Sequence, residues 1–120
     1  MVLIVRNYQE VEEEETNFEG VKIRWLIVPK MGAKNFAMRY FSMAPNSTIP
    51  EHSHDWEHEI FVLRGRGIIT GEGKEHEVKD GDVVYIPPTE VHGYRALNEG
   101  LEFLCLIPAK KEAIPEDKWS

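Results

Sequence analysis

Three imidazoles fall within seven positions in the run Pro50-Glu51-His52-Ser53-His54-Asp55-Trp56-Glu57-His58-Glu59. A further histidine, His92, follows the stretch Gly81-Asp82-Val83-Val84-Tyr85-Ile86-Pro87-Pro88-Thr89-Glu90-Val91. The chain holds 5 histidines, and only His76 lies outside these two segments. Neutral imidazole is the commonest metal ligand. On a strand, His52 and His54 would project from one face, because side chains alternate with period two. The chemistry that such residues support is that of a divalent ion held by nitrogen. Glu59 competes with His58 for the last place in that shell. Adjacent strand residues face opposite ways, so only one of the pair can reach an ion bound by His52 and His54, provided no bulge intervenes between 54 and 60. His76, in the charged hairpin Gly73-Lys74-Glu75-His76-Glu77, reads as a surface residue.

The elements that must position these rings read as β-strands. Turn signals recur at 29–32, 44–47, 64–67, 71–74, 79–82, 87–89 and 98–100. Between them, runs rich in β-branched and aromatic residues predict strands near 21–28, 35–43, 59–64, 66–71, 75–78, 82–86, 92–97 and 101–107. No segment carries a helical period. The acidic run Val11–Thr16 reads as an exposed loop, and the charged tail from Pro108 to Ser120 as a mobile or loosely docked end that Trp119 could anchor. Short strands at near-regular spacing point to an all-β sandwich or barrel in one domain, 1–120.

Composition narrows the class of function. The 120 residues suffice for a single core, and a 42% hydrophobic fraction is that of a globular chain. A net charge of −7 argues against nucleic acid and against an anionic membrane surface. No apolar run is long enough to span a bilayer, Met1–Val5 is too short for a signal-peptide core, and the single cysteine forms no internal disulfide. A cytoplasmic location is the expectation. The apolar terminus Val2-Leu3-Ile4-Val5 would suit pairing with a partner subunit, because a sheet edge left open needs cover.

The two histidine segments resemble the two motifs of the cupins, small jelly-roll barrels (double-stranded β-helices). In the first motif a glycine precedes His-x-His by five residues; a glutamate follows after three or four, and a glycine after six more. His52, His54 and Gly65 fit, His58 stands in the glutamate slot, and Asn46 replaces the first glycine. Asparagine tolerates the left-handed backbone that such a turn needs. In the second motif Gly81, Pro87 and His92 match, Thr89 replaces a glycine and Ala96 an asparagine. The stretches Asn35–Arg39, His54–Leu63 and Glu102–Pro108 are similar to small single-domain cupins with a four-histidine manganese site.

That resemblance implies His52, His54, His58 and His92 as ligands of one divalent ion, two coordination positions open to water or a ligand, and a homodimer that exchanges N-terminal strands. Manganese is the metal it implies; iron, nickel, copper and zinc also accept imidazole. Four neutral donors leave the ion's charge uncompensated, which favours a small anionic or electron-rich ligand. Arg39, within the apolar run Phe36–Phe41, is either an outward arginine or a charge at the cavity wall; the resemblance favours the cavity. Phe103 and Cys105 share strand parity and could line the barrel, though Cys105 also reads as a small buried hydrophobe. Trp56 either lids the metal mouth or packs in the core. No side chain stands out as a general base. The chain thus reads as a metal-dependent oxidoreductase, dioxygenase- or decarboxylase-like, acting on a small oxygen-rich or unsaturated molecule. A non-catalytic binding module is the alternative, with sugar isomerisation ranked below both.

Overall fold

The computed structural model describes residues 2–120. Eight strands run in the order β1 (Glu14–Glu15), β2 (Val21–Ile27), β3 (Phe36–Met43), β4 (Thr48–His52), β5 (His58–Gly71), β6 (Lys74–Lys79), β7 (Val83–Ile86) and β8 (His92–Pro108). All pairings are antiparallel. The long strands β5 and β8 pair with each other and carry the architecture. On its outer edge β8 takes β3 along residues 101–108 and β4 along residues 92–95. On its own outer edge β5 takes β7 along residues 58–61 and β6 along residues 66–71. One continuous ribbon pair therefore serves both halves of a jelly-roll barrel, the all-β fold expected.

Two of the expected turns lie inside strands. The segments 59–64 and 66–71 are one strand, as are 92–97 and 101–107. The β5–β8 register shifts between Val62 and Arg64 and between Gly65 and Gly67. Gly65 at φ 100° and Gly100 at φ 77° hold the left-handed conformation that lets the ribbon bend there. β4, absent from the strand reading, forms over Thr48–His52.

Alternation fills the interior. Leu101, Phe103, Cys105 and Ile107 of β8 face Ile60 and Val62 of β5 and Ala37 and Met43 of β3, all buried. Each of the larger aliphatic and aromatic side chains among them contributes about 1.5–3 kcal/mol relative to exposure. Two terminal segments depart from their sequence reading. In the acidic run, Val11 is buried and Glu14–Glu15 pairs with Lys22 and Ile23. In the tail, Ile114 is buried in the core, Trp119 Nε1 donates to the Ile114 carbonyl at 3.2 Å, and Lys118 Nζ reaches Glu14 at 2.6 Å. The tail is docked because it supplies an apolar residue that the barrel covers. No helix among the described residues is long and apolar enough to cross a membrane.

Candidate metal centre

The histidines meet at one end of the barrel. His52 is the last residue of β4, directly opposite His92, the first of β8. His54 lies beyond β4, in the loop leading to β5, so the two rings of the His-x-His pair do not share a strand. They converge because that loop is clasped. Thr89 N–H donates to the His54 carbonyl at 2.7 Å, and Ser53 Oγ donates to the Thr89 carbonyl at 2.8 Å. Thr89 sits at φ 69°, an unusual conformation for a β-branched residue, and it occupies a slot where the motif has glycine. Asn46, in the other glycine slot, is also left-handed at φ 66°, so that turn survives. The Ser53–Thr89 clasp was not foreseen from sequence; threonine in a glycine position was its only visible sign.

His52, His54 and His92 bring their donor atoms within 4.8 Å of one another. His58, first residue of β5, lies alongside: its Nε2 is 2.8 Å from His54 Nε2, and its ring centroid is 5.0 Å from that of His92. His58 is 4% exposed, whereas Glu59 points outward. The phase of β5 alone settles that contrast, since His58, Ile60 and Val62 all face in. His76 lies on the exposed hairpin strand β6.

The site fits a cation on its own evidence. His92 is 1% exposed, and its Nε2 is buried with no hydrogen-bond partner. A buried polar atom without a partner is costly, and a bound ion would satisfy it. Nδ1 of His52 donates to the Pro50 carbonyl at 2.9 Å, Nδ1 of His54 to the Trp56 carbonyl at 2.9 Å, and Nδ1 of His92 to the Glu90 carbonyl at 2.8 Å. Each contact places the proton on Nδ1 and leaves Nε2 free to bind an ion. Burial disfavours the charged form of the three less exposed rings. It lowers His54 and His92 below the ordinary imidazole value, and burial together with the Arg39 guanidinium pushes His58 down to about 2.

The remaining expected residues gather beside His58. Arg39 points inward: its Nη2 is 3.1 Å from His58 Nδ1 and 2.9 Å from Cys105 Sγ. Its guanidinium carbon stands 5.7 Å from the Trp25 ring centroid and 5.0 Å from that of Phe41. Cys105 is 1% exposed, with Sγ 3.1 Å from His58 Nδ1. Phe103 stacks between Phe41 and Tyr94. Arg39, Phe41, His58, Tyr94 and Phe103 line a cavity of about 120 Å³ inside the barrel. Trp56 stacks flat on His54, centroids 4.1 Å apart, and packs against the core.

His58 thus stands between the other histidines, on its Nε2 side, and a guanidinium beside a small cavity with aromatic walls, on its Nδ1 side. Known proteins carry the same frame. The polyketide cyclase RemF from Streptomyces resistomycificus superposes with a TM-score of 0.86 at 29% identity, covering 98% of this chain and 91% of its own. A predicted oxalate decarboxylase from Thermotoga maritima superposes at 0.74 with 29% identity, over 89% of this chain and all of its own. The oxalate-binding protein of Thermotoga maritima is 30% identical over 112 residues, 88% of this chain and 93% of that protein. The sequence profile of the Cupin domain matches residues 39–107, from the arginine of the cavity wall to the end of β8, and the chain belongs to that family.

Proposed function

We propose that this cupin is a mononuclear metalloprotein of the four-histidine kind, with His52, His54, His58 and His92 as ligands and manganese as the metal. The observation that carries the reading is the set of Nδ1–carbonyl contacts that aim the Nε2 lone pairs of His52, His54 and His92 at one place, that of His92 being buried with no protein partner. A divalent ion there would supply Lewis-acid or, as manganese or iron, redox chemistry to a bound molecule. The chain's own residues select that molecule. Arg39 adds a positive charge at the cavity wall, Phe41, Phe103 and Tyr94 add flat apolar contacts, and about 120 Å³ admits only a compact ligand. Beside the cavity, Trp56 stacks on His54 and Cys105 lies against His58.

A small dicarboxylate meets these demands, and the names of two relatives, an oxalate-binding protein and a predicted oxalate decarboxylase, agree with it. A polyketide with several rings would exceed the cavity as it stands. The activity proposed is that of an oxidoreductase, dioxygenase- or decarboxylase-like. Metal-dependent binding without turnover is the second reading, favoured by the lack of any carboxylate among the residues lining the cavity. The test loads the protein separately with manganese, iron and zinc and supplies oxalate with dioxygen. Turnover with manganese or iron but not zinc, which has no redox chemistry, is the expected result. Tight binding without turnover in every form would select the second reading, and equal turnover with zinc would rule out a redox reaction.

We also propose a homodimer in which residues 1–5 add a strand to the partner's sheet; Met1 lies outside the described residues. Val2, Leu3 and Val5 are more than four-fifths exposed and belong to no strand of their own chain. Among the described residues β7 pairs only with β5, and Phe61, Val83 and Tyr85 form an exposed apolar face beside it. Such a face on an open edge calls for cover. Light scattering should give twice the 13.9 kDa monomer mass, and removing residues 1–5 should yield monomer. A monomeric intact chain at every concentration would refute the proposal.

A further inference from the structure

Three of the four histidines share one local device, and His58 lacks it. His52, His54 and His92 each hold Nδ1 against a backbone carbonyl two residues away. A carbonyl only accepts, so it fixes the proton on Nδ1. His58 Nδ1 faces no carbonyl. Its two neighbours are Arg39 Nη2 at 3.1 Å and Cys105 Sγ at 3.1 Å. A guanidinium only donates, whereas sulfur accepts, if weakly.

Two hydrogen-bond arrangements follow. With the proton on Nε2, His58 can donate to His54 Nε2 at 2.8 Å while Nδ1 accepts from Arg39. That tautomer offers no lone pair to an ion at Nε2. With the proton on Nδ1, the acceptor must be Cys105 Sγ, and Arg39 must turn its N–H to the same sulfur, 2.9 Å away. Only this second arrangement makes Nε2 a ligand. Arg39 is held for it between the Trp25 and Phe41 rings, and its buried Nε has no partner, so the sulfur is a principal anchor of the guanidinium.

We propose that Cys105 is the positioning residue that makes His58 a metal ligand, its Sγ accepting Nδ1–H from His58 and Nη2–H from Arg39. This rests on the four-histidine reading. It assigns Cys105 a role distinct from packing, although its 1% exposure alone would read as packing.

The experiment uses the full chain loaded with Cu(II), in which pulsed electron paramagnetic resonance counts coordinated imidazoles through their remote nitrogens, alongside titration of Mn(II) affinity. The unsubstituted protein should show four imidazoles. Cys105→Ala should show three and bind Mn(II) about 10–100-fold more weakly, as loss of a hydrogen-bond partner to a ligand does. Cys105→Ser keeps an acceptor in nearly the same volume and should retain four. Four imidazoles and unchanged affinity in Cys105→Ala would overturn the proposal, as would an equal loss in Cys105→Ser, because packing would then be the cause. His58→Ala separates the two levels of the argument. It should fall to three, and an unchanged count there would remove the four-histidine reading itself, whatever the cysteine variants do.

Discussion

On dialysis of manganese-loaded protein, His58→Ala should lose most of its metal, while Glu59→Gln should keep close to one ion per chain. The two residues are neighbours at the start of β5, where Ile60 and Val62 continue the inward face. His58 puts Nε2 beside His54 Nε2, whereas Glu59 lines an outer groove with Phe61, Tyr85 and Leu106. A carboxylate on that side of the strand cannot reach the rings without reversing the phase of β5 against both β7 and β8. Loss of a direct ligand should weaken binding by more than the roughly 10–100-fold that loss of an outer hydrogen-bond partner costs. Metal content by elemental analysis of both variants, dialysed side by side, decides it. Retention in His58→Ala with loss in Glu59→Gln would restore the three-histidine, one-glutamate site that the cupin motif ordinarily implies.

That contrast was legible in the sequence, although part of the argument for it was not. The six-residue interval from His58 to Gly65 points to His58, the residue of the pair that faces inward. Counting strand phase from His54 does not work, because residues 53–57 form a loop and carry no phase. The convergence of His52 and His54 instead depends on where the Thr89 and Ser53 hydrogen bonds pull that loop, which no local pattern encodes. The inward turn of Arg39 was likewise open from sequence. Alternation places residue 39 on the same face as Ala37, Phe41 and Met43, yet a charged residue goes inside only when partners await it. Those partners, Cys105 and His58, lie 66 and 19 positions away. The docked tail shows the same limit. Its charge made it look loose, and the single buried Ile114 outweighs that charge.

Glycine misled in a more instructive way, and its misreading leads to the largest stability effect expected here. Gly65 and Gly100 carry the left-handed φ of turn residues, which is why the sequence reads as four short strands where two long ones stand. A bulge and a turn can demand the same local backbone; only the pairing partner tells them apart. At Gly65 that partner is very close. A methyl group built there would lie 2.1 Å from the Gly100 carbonyl oxygen and 2.9 Å from its carbon, both backbone atoms. Gly65→Ala therefore adds a backbone clash to the strain of alanine at φ 100°. Strain of this kind costs about 1–3 kcal/mol, and overpacking a similar amount. Together they would take about 2–6 kcal/mol from a domain whose whole stability is roughly 5–15 kcal/mol. The control is Gly73→Ala in the β5–β6 hairpin, at φ 69° with nothing within 4 Å of the added carbon, which bears the conformational cost alone. Thermal unfolding of metal-free protein should place Gly65→Ala about 10 °C or more below the unsubstituted chain, and well below Gly73→Ala. Because β5 and β8 bend together at this point, the loss should also reach the metal end: His58 begins β5 and His92 begins β8. Equal melting temperatures for the two variants would show that the ribbon yields at Gly65, and that the close approach of Gly65 to Gly100 does not hold the barrel in shape.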